Sequence, residues 1–166
     1  MTNRRSLFIA ILGGAAALPF LRKFVEAPAL AAGVTTYEYT LTDAAWRAKL
    51  PGQAYAVLRE ASTERPFSSP LNDEHHAGTF ACKGCALPLF ASNTKFDSGT
   101  GWPSFYAPLA NAVGTTTDTQ FMMKRTEVHC RRCGGHLGHV FDDGPKPTGL
   151  RYCMNGVALT FSPAKA

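Results

Sequence analysis

The chain has 166 residues, of which 45% are apolar and 11% aromatic, enough for one domain with its own hydrophobic core and short for two. The formal charge of +5 would suit a nucleic-acid-binding protein, but the first 31 residues hold four basic residues and one acidic residue. The remainder carries 13 basic and 11 acidic residues, and a body so close to neutral argues against a surface for binding polyanions.

Residues 1–31 are predicted to be an export signal. An arginine pair at positions 4 and 5 precedes an apolar run over residues 7–21, and Ala-Leu-Ala at 29–31 has the small-x-small pattern of a cleavage site. The pair resembles a twin-arginine signal, which predicts a periplasmic or otherwise exported protein. The alternative is an uncleaved membrane anchor, although this run of 15 residues is shorter than the roughly 20 that span a bilayer.

The next segments are predicted to be an extended lead-in and two short elements. Residues 32–42 are rich in β-branched and aromatic residues, which favour extended backbone. Thr42 and Asp43 have the pattern of a helix start, and residues 43–50 are predicted to form a helix that ends before Pro51. Residues 53–60 form a second short element that could be helix or strand. The main domain is predicted to span residues 43–163.

From residue 61 onward, the sequence is a series of short apolar runs separated by turn residues. The chain holds 15 glycines and 11 prolines, and runs of this length and spacing predict an antiparallel all-β body. The runs are TFAC, LPLFAS, TKFDS, SFYAPL, FMMKRTEVHC, HLGHVF, GLRYC and VALTF.

Four of the five cysteines form two C-x-x-C pairs, Cys82 with Cys85 and Cys130 with Cys133. Each C-x-x-C turn lets two thiolates point at one ion, and two turns complete a tetrahedral site for which Zn²⁺ is the expected occupant. The 44 residues between the pairs exceed the spacing of a compact zinc ribbon, so the metal is expected to join distant parts of the chain. The alternatives are two redox-active C-x-x-C motifs or a disulfide framework.

The fifth cysteine, Cys153, lies in the segment RYCMNG. With the period of two of a β-strand, Arg151, Cys153 and Asn155 share one face. A guanidinium near a thiol favours the thiolate, which is the nucleophilic form, and an amide beside it can both donate and accept hydrogen bonds. The flanking residues therefore favour a chemically active thiol over a buried cysteine that acts as a small hydrophobe.

Two histidines and a tryptophan complete the candidate site. His136 and His139 would face opposite sides of a regular strand, but Gly138 permits a bulge that could turn both towards one cavity. Histidine is the natural general acid near neutral pH; packing, or zinc ligation beside Cys133, is the alternative role. Trp102 lies in the loop GTGWP, which can hold an indole rigidly as the wall of a cavity, although such a residue alone is more often part of a core.

Five motifs in this order, CKGC, KFDSGTGWPSF, EVHCRRC, HLGHVFDDGP and PTGLRYCMNG, closely resemble the methionine sulfoxide reductase B family, whose members reduce the R epimer of methionine sulfoxide in proteins. TERPF at 63–67 also looks like that family. The resemblance covers essentially the whole chain after the lead-in. It implies a mainly β fold of two antiparallel sheets in one domain, with one structural zinc at Cys82, Cys85, Cys130 and Cys133.

The resemblance also implies roles for the site residues. Cys153 would be the nucleophile, Trp102 would face the methyl group of the substrate, and the surrounding side chains would be His136, His139, Asn155 and Arg151. The Cys153 thiolate would attack the sulfoxide sulfur while one histidine protonates the oxygen. Methionine would leave, and Cys153 would become a sulfenic acid.

Thr100 is a departure from the family pattern, because many members carry a resolving cysteine at this place. The other four cysteines of this chain are assigned to zinc, so an external thiol is predicted to reduce the sulfenic acid. The expected partners are therefore oxidised proteins that carry methionine-R-sulfoxide and either a thioredoxin-like domain or a small thiol as reductant. Met154 and Gly156 also differ from the residues usual in the family and are interpreted as tolerated variants.

Two rival functions remain. In a zinc-ribbon binding module, the CRRC turn with Lys124 and Arg125 would touch nucleic acid. The near-neutral charge disfavours this function, which also leaves Cys153, Trp102 and the histidines without a role. The other rival is a thiol peroxidase.

Overall fold

Two short helices precede the sheets in the computed structural model, which describes residues 36–50, 52–119 and 123–165. The predicted export signal lies outside these residues. Helix α1 (Asp43–Lys49) begins as expected, because the Thr42 hydroxyl accepts a hydrogen bond from the Ala45 N–H at 3.3 Å. No helix in the described ranges has the length and apolar composition that a membrane span requires.

The element that the sequence leaves undecided is helix α2 (Gln53–Glu60). Its buried residues include Ala54, Val57 and Leu58, which recur at the three- and four-residue spacing of one helix face. Ala61 ends the helix in the left-handed conformation, and its N–H donates to the carbonyl of Ala56. Eight residues are too few for the sequence to separate this pattern from a buried strand.

Nine strands in the described residues form two antiparallel sheets. The strands are β1 (Gly78–Cys82), β2 (Pro88–Ala91), β3 (Lys95–Phe96), β4 (Ser104–Phe105), β5 (Val113–Asp118), β6 (Arg125–Cys130), β7 (His136–Phe141), β8 (Arg151–Met154) and β9 (Leu159–Pro163). One sheet has the order β2-β1-β9 and the other has the order β3-β4-β8-β7-β6-β5. The predicted mainly β fold with two antiparallel sheets and short N-terminal helices is confirmed.

Strand β5 is the one strand that the apolar runs do not predict. It lies at the edge of the six-stranded sheet, and its three central threonines are exposed. An edge strand of this kind buries little surface, so it carries no apolar run. Its β-branched threonines are the signal that could have identified it.

Three phenylalanines pack the two sheets together. Phe80 in β1 and Phe90 in β2 belong to the smaller sheet, and Phe105 in β4 belongs to the larger one; each has 0% of its surface exposed. The ring centroid of Phe105 lies 4.3 Å from that of Phe90 and 5.0 Å from that of Phe80. Leu137 and Met154 are also fully buried in this core, so β7 and β8 contribute residues to it.

Replacement of Phe105 is expected to test this core. Phe105→Ala leaves a cavity against Phe80 and Phe90 and should lower the free energy of unfolding by about 3–5 kcal/mol. Urea denaturation measures this change. Phe67→Ala is the matched control, because its ring is 69% exposed, and exposed substitutions usually change stability by about 0.5 kcal/mol or less. Equal losses in the two variants would contradict the assignment of the core.

Candidate active site and metal centre

The two C-x-x-C pairs lie on equivalent turns at the ends of two strands. Cys82 ends β1, and the Ala86 N–H donates to its carbonyl at 2.7 Å; Cys130 ends β6, and the Gly134 N–H donates to its carbonyl at 2.8 Å. Ala86 and Gly134 both have positive φ. Because β1 and β6 belong to different sheets, a metal ion held by the four cysteines would link the two sheets.

The four sulfur atoms have the spacing of a tetrahedral metal site. Cys82 Sγ lies 3.7 Å from Cys133 Sγ, and Cys85 Sγ lies 3.5 Å from Cys130 Sγ. All four lie within 4.8 Å of one another, and Zn–S bonds of about 2.3 Å place ligand sulfurs about 3.8 Å apart. All five cysteines are unbridged, which disfavours the disulfide alternative. The donor set therefore fits Zn²⁺.

Cysteine replacement is expected to separate the metal centre from the active site. Cys85→Ser should reduce the zinc content from about one ion per chain to well below half. The free energy of unfolding should fall by about 3 kcal/mol, which should lower the melting temperature by roughly 10 °C. Elemental analysis and calorimetry measure the two effects. Cys153→Ser is the matched control and should retain both the zinc and the melting temperature. If the two variants kept the same zinc content, this metal centre would be refuted.

A pocket of about 140 Å³ lies beside Cys153, which is room for a group of a few heavy atoms because one water molecule takes about 30 Å³ in the liquid. Its lining residues are Thr63, Trp102, Arg125, Gly138, His139, Phe141, Cys153 and Asn155. Four of the six side chains predicted for the active site therefore meet at this pocket. The other two, His136 and Arg151, do not line it but lie next to residues that do.

Strand pairing positions Cys153. In β8 it lies opposite His139 of β7 on one side and Ser104 of β4 on the other, and residues paired in this way point to the same face of a sheet. Thr100 reaches the thiol from the GTGWP loop, with 3.9 Å between Thr100 Oγ1 and Cys153 Sγ. The thiol therefore has a histidine and two hydroxyl groups as neighbours.

The sequence predicts that Arg151 favours the thiolate, and this is only partly correct. Burial raises the pKa of the Cys153 thiol; hydrogen bonding with Thr100, the charge of Arg151 and hydrogen bonding with Ser104 lower it but do not outweigh burial. Arg151 also donates two hydrogen bonds of 2.8 Å each to the carboxylate of Asp143, which offsets part of its charge. Cys153 is therefore protonated at neutral pH in the resting protein.

A bulge in β7 places both histidines on the Cys153 face. Consecutive residues Val128 and His129 of β6 pair with Gly138 and His136, so Leu137 is the extra residue. The ring centroids of His136 and His139 are 5.5 Å apart. The expected bulge is confirmed, although the extra residue is Leu137.

Gly138 allows β7 and β8 to approach closely. A Cβ atom at position 138 would lie 2.1 Å from the carbonyl oxygen of Cys153, so any side chain here would push the two strands apart. In the sequence, this glycine predicts a bulge. Its stronger effect is on the distance between the strand that carries His139 and the strand that carries Cys153.

His136 and His139 each have a carboxylate partner that no local sequence pattern indicates. His136 Nδ1 donates to Glu127 at 2.9 Å, and His139 Nε2 donates to Asp118 at 2.9 Å. Burial lowers the pKa of His139, although the hydrogen bond to Asp118 opposes this effect. His139 is therefore neutral at neutral pH, and the bond to Asp118 leaves Nδ1 as its available nitrogen.

The SelR domain family matches residues 50–163 of the chain. Proteins named peptide methionine sulfoxide reductase MsrB are similar over most of its length. The one from Thiobacillus denitrificans is 57% identical over 123 residues, which are 74% of this chain and 93% of the relative. The one from Pseudomonas putida is 60% identical over 119 residues, 71% of this chain and 90% of the relative.

The chain belongs to the MsrB family. The MsrB protein of Leifsonia xyli extends the similarity further along the chain, with 51% identity over 134 residues, 80% of this chain and 96% of the relative. The family membership predicted from the five motifs is therefore confirmed.

Glu64, in the TERPF motif of this MsrB chain, holds two walls of the pocket. Its N–H donates to Asn155 Oδ1 at 3.0 Å, and its carbonyl accepts a hydrogen bond of 3.2 Å from Trp102 Nε1. Its carboxylate, only 3% exposed, accepts from the N–H groups of Gly156 at 2.5 Å and Val157 at 2.9 Å. Glu64 is thus a positioning residue for both Trp102 and the turn after Cys153.

Asn155 has a different environment from the one that strand periodicity predicts. Strand β8 ends at Met154, and Asn155 begins a turn in which its side chain is 3% exposed. Its Nδ2 donates to the Leu137 carbonyl at 3.1 Å, and its Oδ1 accepts from Glu64. The amide lines the pocket and also connects the bulge of β7 to the TERPF segment.

Replacement of Glu64 is expected to destabilise the pocket wall. Glu64→Ala leaves two N–H groups without their acceptor, which should lower the free energy of unfolding by about 2–4 kcal/mol, whereas Glu64→Gln keeps one acceptor oxygen and should lose about half as much. Urea denaturation measures the loss. Glu60→Ala is the matched control, because its side chain is 51% exposed. A loss no larger than that of the control would contradict the positioning role.

Proposed function

We propose that this chain reduces the R epimer of methionine sulfoxide in proteins to methionine. The observation that carries the proposal is the Cys153 thiol at a small pocket with an indole wall and a paired imidazole, in a chain of the MsrB family. A sulfoxide needs a nucleophile for its sulfur, a proton for its oxygen and an apolar surface for its methyl group. Cys153, His139 and Trp102 offer these three properties.

Cys153 is the nucleophile of the proposed reaction. Its sulfur bonds to the sulfoxide sulfur; the oxygen then moves to the cysteine sulfur as the substrate S–O bond and the transient S–S bond break, and Cys153 is left as a sulfenic acid. The substrate leaves as methionine, which is reduced by two electrons while the cysteine sulfur is oxidised by two. The reaction needs no external proton overall, because the thiol proton ends on the sulfenic acid.

His139 is proposed to move that proton. In the resting site the thiol is protonated and the imidazole is neutral, since burial raises the pKa of Cys153 and lowers that of His139. Nδ1 of His139 can accept the thiol proton as the sulfur attacks and pass it to the sulfoxide oxygen. Asp118 holds the ring and stabilises the imidazolium that forms on the way.

His136 is proposed to hold the His139 ring in position, because the two rings lie on the same face of the sheet. Its ring contacts that of His139, and Glu127 fixes its orientation through Nδ1. Burial alone would raise the pKa of Glu127, but hydrogen bonds from His129, His136 and Thr116 outweigh it and hold this pKa below its usual range. A carboxylate that stays ionised in this way accepts a strong hydrogen bond from the His136 ring and so keeps the ring in place.

An external thiol is proposed to complete the cycle. The first thiol displaces water from the sulfenic acid to form a mixed disulfide, and a second thiol releases Cys153 and leaves as the oxidised reductant. The other four of the five cysteines lie in the metal centre, and the side chain facing Cys153 at position 100 is a threonine. A thioredoxin-like domain or a small thiol is the proposed reductant.

Zinc and export complete the proposal. One structural Zn²⁺ bound by the four cluster cysteines would join the two sheets, with no part in the redox step. Residues 1–31 are proposed to be a twin-arginine signal that directs the enzyme to the periplasm, where it would repair oxidised proteins. A retained N-terminal anchor is the alternative, and comparison of the N-terminus of the exported protein with the full sequence tests it.

Replacement of Cys153 and His139 is expected to remove the chemistry. Cys153→Ser should abolish reduction of N-acetyl-methionine-R-sulfoxide with dithiothreitol, and His139→Gln should lower kcat by about 10²- to 10⁴-fold. Rates measured separately on the two epimers and on hydrogen peroxide test the reaction class. His76→Gln is the matched control, because that side chain is 87% exposed. Near-normal activity of Cys153→Ser, or faster turnover of peroxide, would reject the proposal in favour of another chemistry.

Trapping experiments are expected to identify the sulfenic acid. After one equivalent of substrate without reductant, dimedone should label Cys153 in the wild-type protein, as observed by peptide mass spectrometry. In the Thr100→Cys variant a disulfide between positions 100 and 153 should replace the label, because Thr100 Oγ1 lies 3.9 Å from Cys153 Sγ. An intramolecular disulfide to Cys153 in the wild-type protein would refute the need for an external thiol.

A further inference from the structure

Phe67 presents an aromatic ring to solvent. Of the large apolar side chains that the structure describes, it is the most exposed, at 69%. Single apolar residues on a surface are common and do not by themselves indicate a binding site. Phe67 differs from such a residue in its backbone conformation and in the position of its ring relative to Cys153.

The backbone of Phe67 is in a conformation that a bulky residue rarely adopts. Its φ is +60°, in the left-handed region that glycine and asparagine adopt most readily. The conformation is held by the Phe67 N–H, which donates to the carbonyl of Gly101 at 2.7 Å. Such strain persists only where the surroundings enforce it, and it is concentrated at functional positions.

Gly101 provides the surface on which the ring rests. A Cβ atom at position 101 would lie 2.8 Å from the side chain of Pro66 and 2.9 Å from the ring of Phe67. Gly101 itself has a φ of +92°, so a side chain is excluded here both by conformation and by space. One part of the ring therefore contacts the GTGWP loop, and the rest faces solvent.

The same loop and the same segment also form the pocket. The two neighbours of Gly101 are Thr100, which approaches the Cys153 thiol to 3.9 Å, and Trp102, which lines the pocket. Thr63, four residues before Phe67, lines the pocket as well. The exposed ring is thus held beside the pocket by two segments that each contribute a residue to it.

We propose that Phe67 is a docking surface for an apolar side chain next to the oxidised methionine of a polypeptide substrate. This inference rests on the proposed function of the Cys153 pocket. An extended chain advances about 3.4 Å per residue, so a side chain one or two positions from the methionine reaches the neighbourhood of Phe67 when the sulfoxide is in the pocket. A ring that is fixed before binding loses little conformational freedom on contact, which favours this use.

The proposal predicts a preference between substrates of equal chemistry. Two peptides, Gly-Leu-Met(O)-Leu-Gly and Gly-Gly-Met(O)-Gly-Gly with the R sulfoxide, are compared with N-acetyl-methionine-R-sulfoxide, all with dithiothreitol as reductant. The wild-type protein should have about a tenfold higher kcat/KM for the leucine peptide than for the glycine peptide, which corresponds to covering roughly 60 Å² of apolar surface. The difference should lie in KM, with kcat nearly equal.

Two variants separate the ring from the backbone conformation. Phe67→Asn accepts the left-handed conformation but removes the ring, so the preference for the leucine peptide should disappear while the small substrate changes by less than about twofold. Phe67→Tyr keeps the ring and should keep the preference. Leu41→Asn, at a residue that is 37% exposed and does not line the pocket, is the matched control. Urea denaturation checks that all three variants fold with similar stability.

Other outcomes would overturn the proposal. An equal loss of kcat/KM on the peptide and on the small substrate would mean that Phe67 acts through the pocket itself. A loss seen only when a thioredoxin replaces dithiothreitol would make this surface a site for the reductant. If the wild-type protein reduced no R sulfoxide, the proposed function would fail, and titration of the labelled leucine peptide into Cys153→Ser with and without Phe67→Asn would still decide; equal Kd values would reject the docking surface.

Discussion

The close approach of β7 to β8 at Gly138 is the constraint on which the candidate site depends. Because only a residue without a side chain fits against the Cys153 carbonyl, the two strands can pair in the register that places His139 opposite Cys153. The extra residue at Leu137 then turns His136 onto the same face. The relation between thiol and imidazoles is therefore a consequence of main-chain packing, and the side chains take their positions from it.

Burial gives this arrangement both its rigidity and its resting state. Leu137 of β7 and Met154 of β8 are fully buried in the core between the sheets. The Asn155 amide donates to the Leu137 carbonyl, and Glu64 is hydrogen-bonded to Asn155 and to the N–H groups of the turn after β8. The same lack of solvent keeps Cys153 as a thiol and His139 as a neutral ring. A protonated thiol reacts more slowly with oxidants than a thiolate does.

The five cysteines lie in two different places in the fold. Four of them lie at the ends of β1 and β6 and in the turns that follow, where one metal ion could bind all four. Cys153 lies within β8, with hydroxyl groups of Thr100 and Ser104 on its other side. The proposed dependence on an external thiol follows from this separation, because in the described residues no other cysteine lies beside Cys153.

The spacing of residues along the chain was sufficient for the features that depend on one turn or one strand. The C-x-x-C pairs, the helix start at Thr42 and the β runs follow from local periodicity, and the order of five motifs indicates the family. The net pKa effect at Cys153, the partners of both histidines and the role of Glu64 required the folded chain. Asp118 lies 21 residues from His139, and Glu64 lies 91 residues from Asn155. Contacts at such separations are set by how strands and loops pack, and solvent exclusion is a property of the assembled pocket, so neither leaves a local pattern in the sequence.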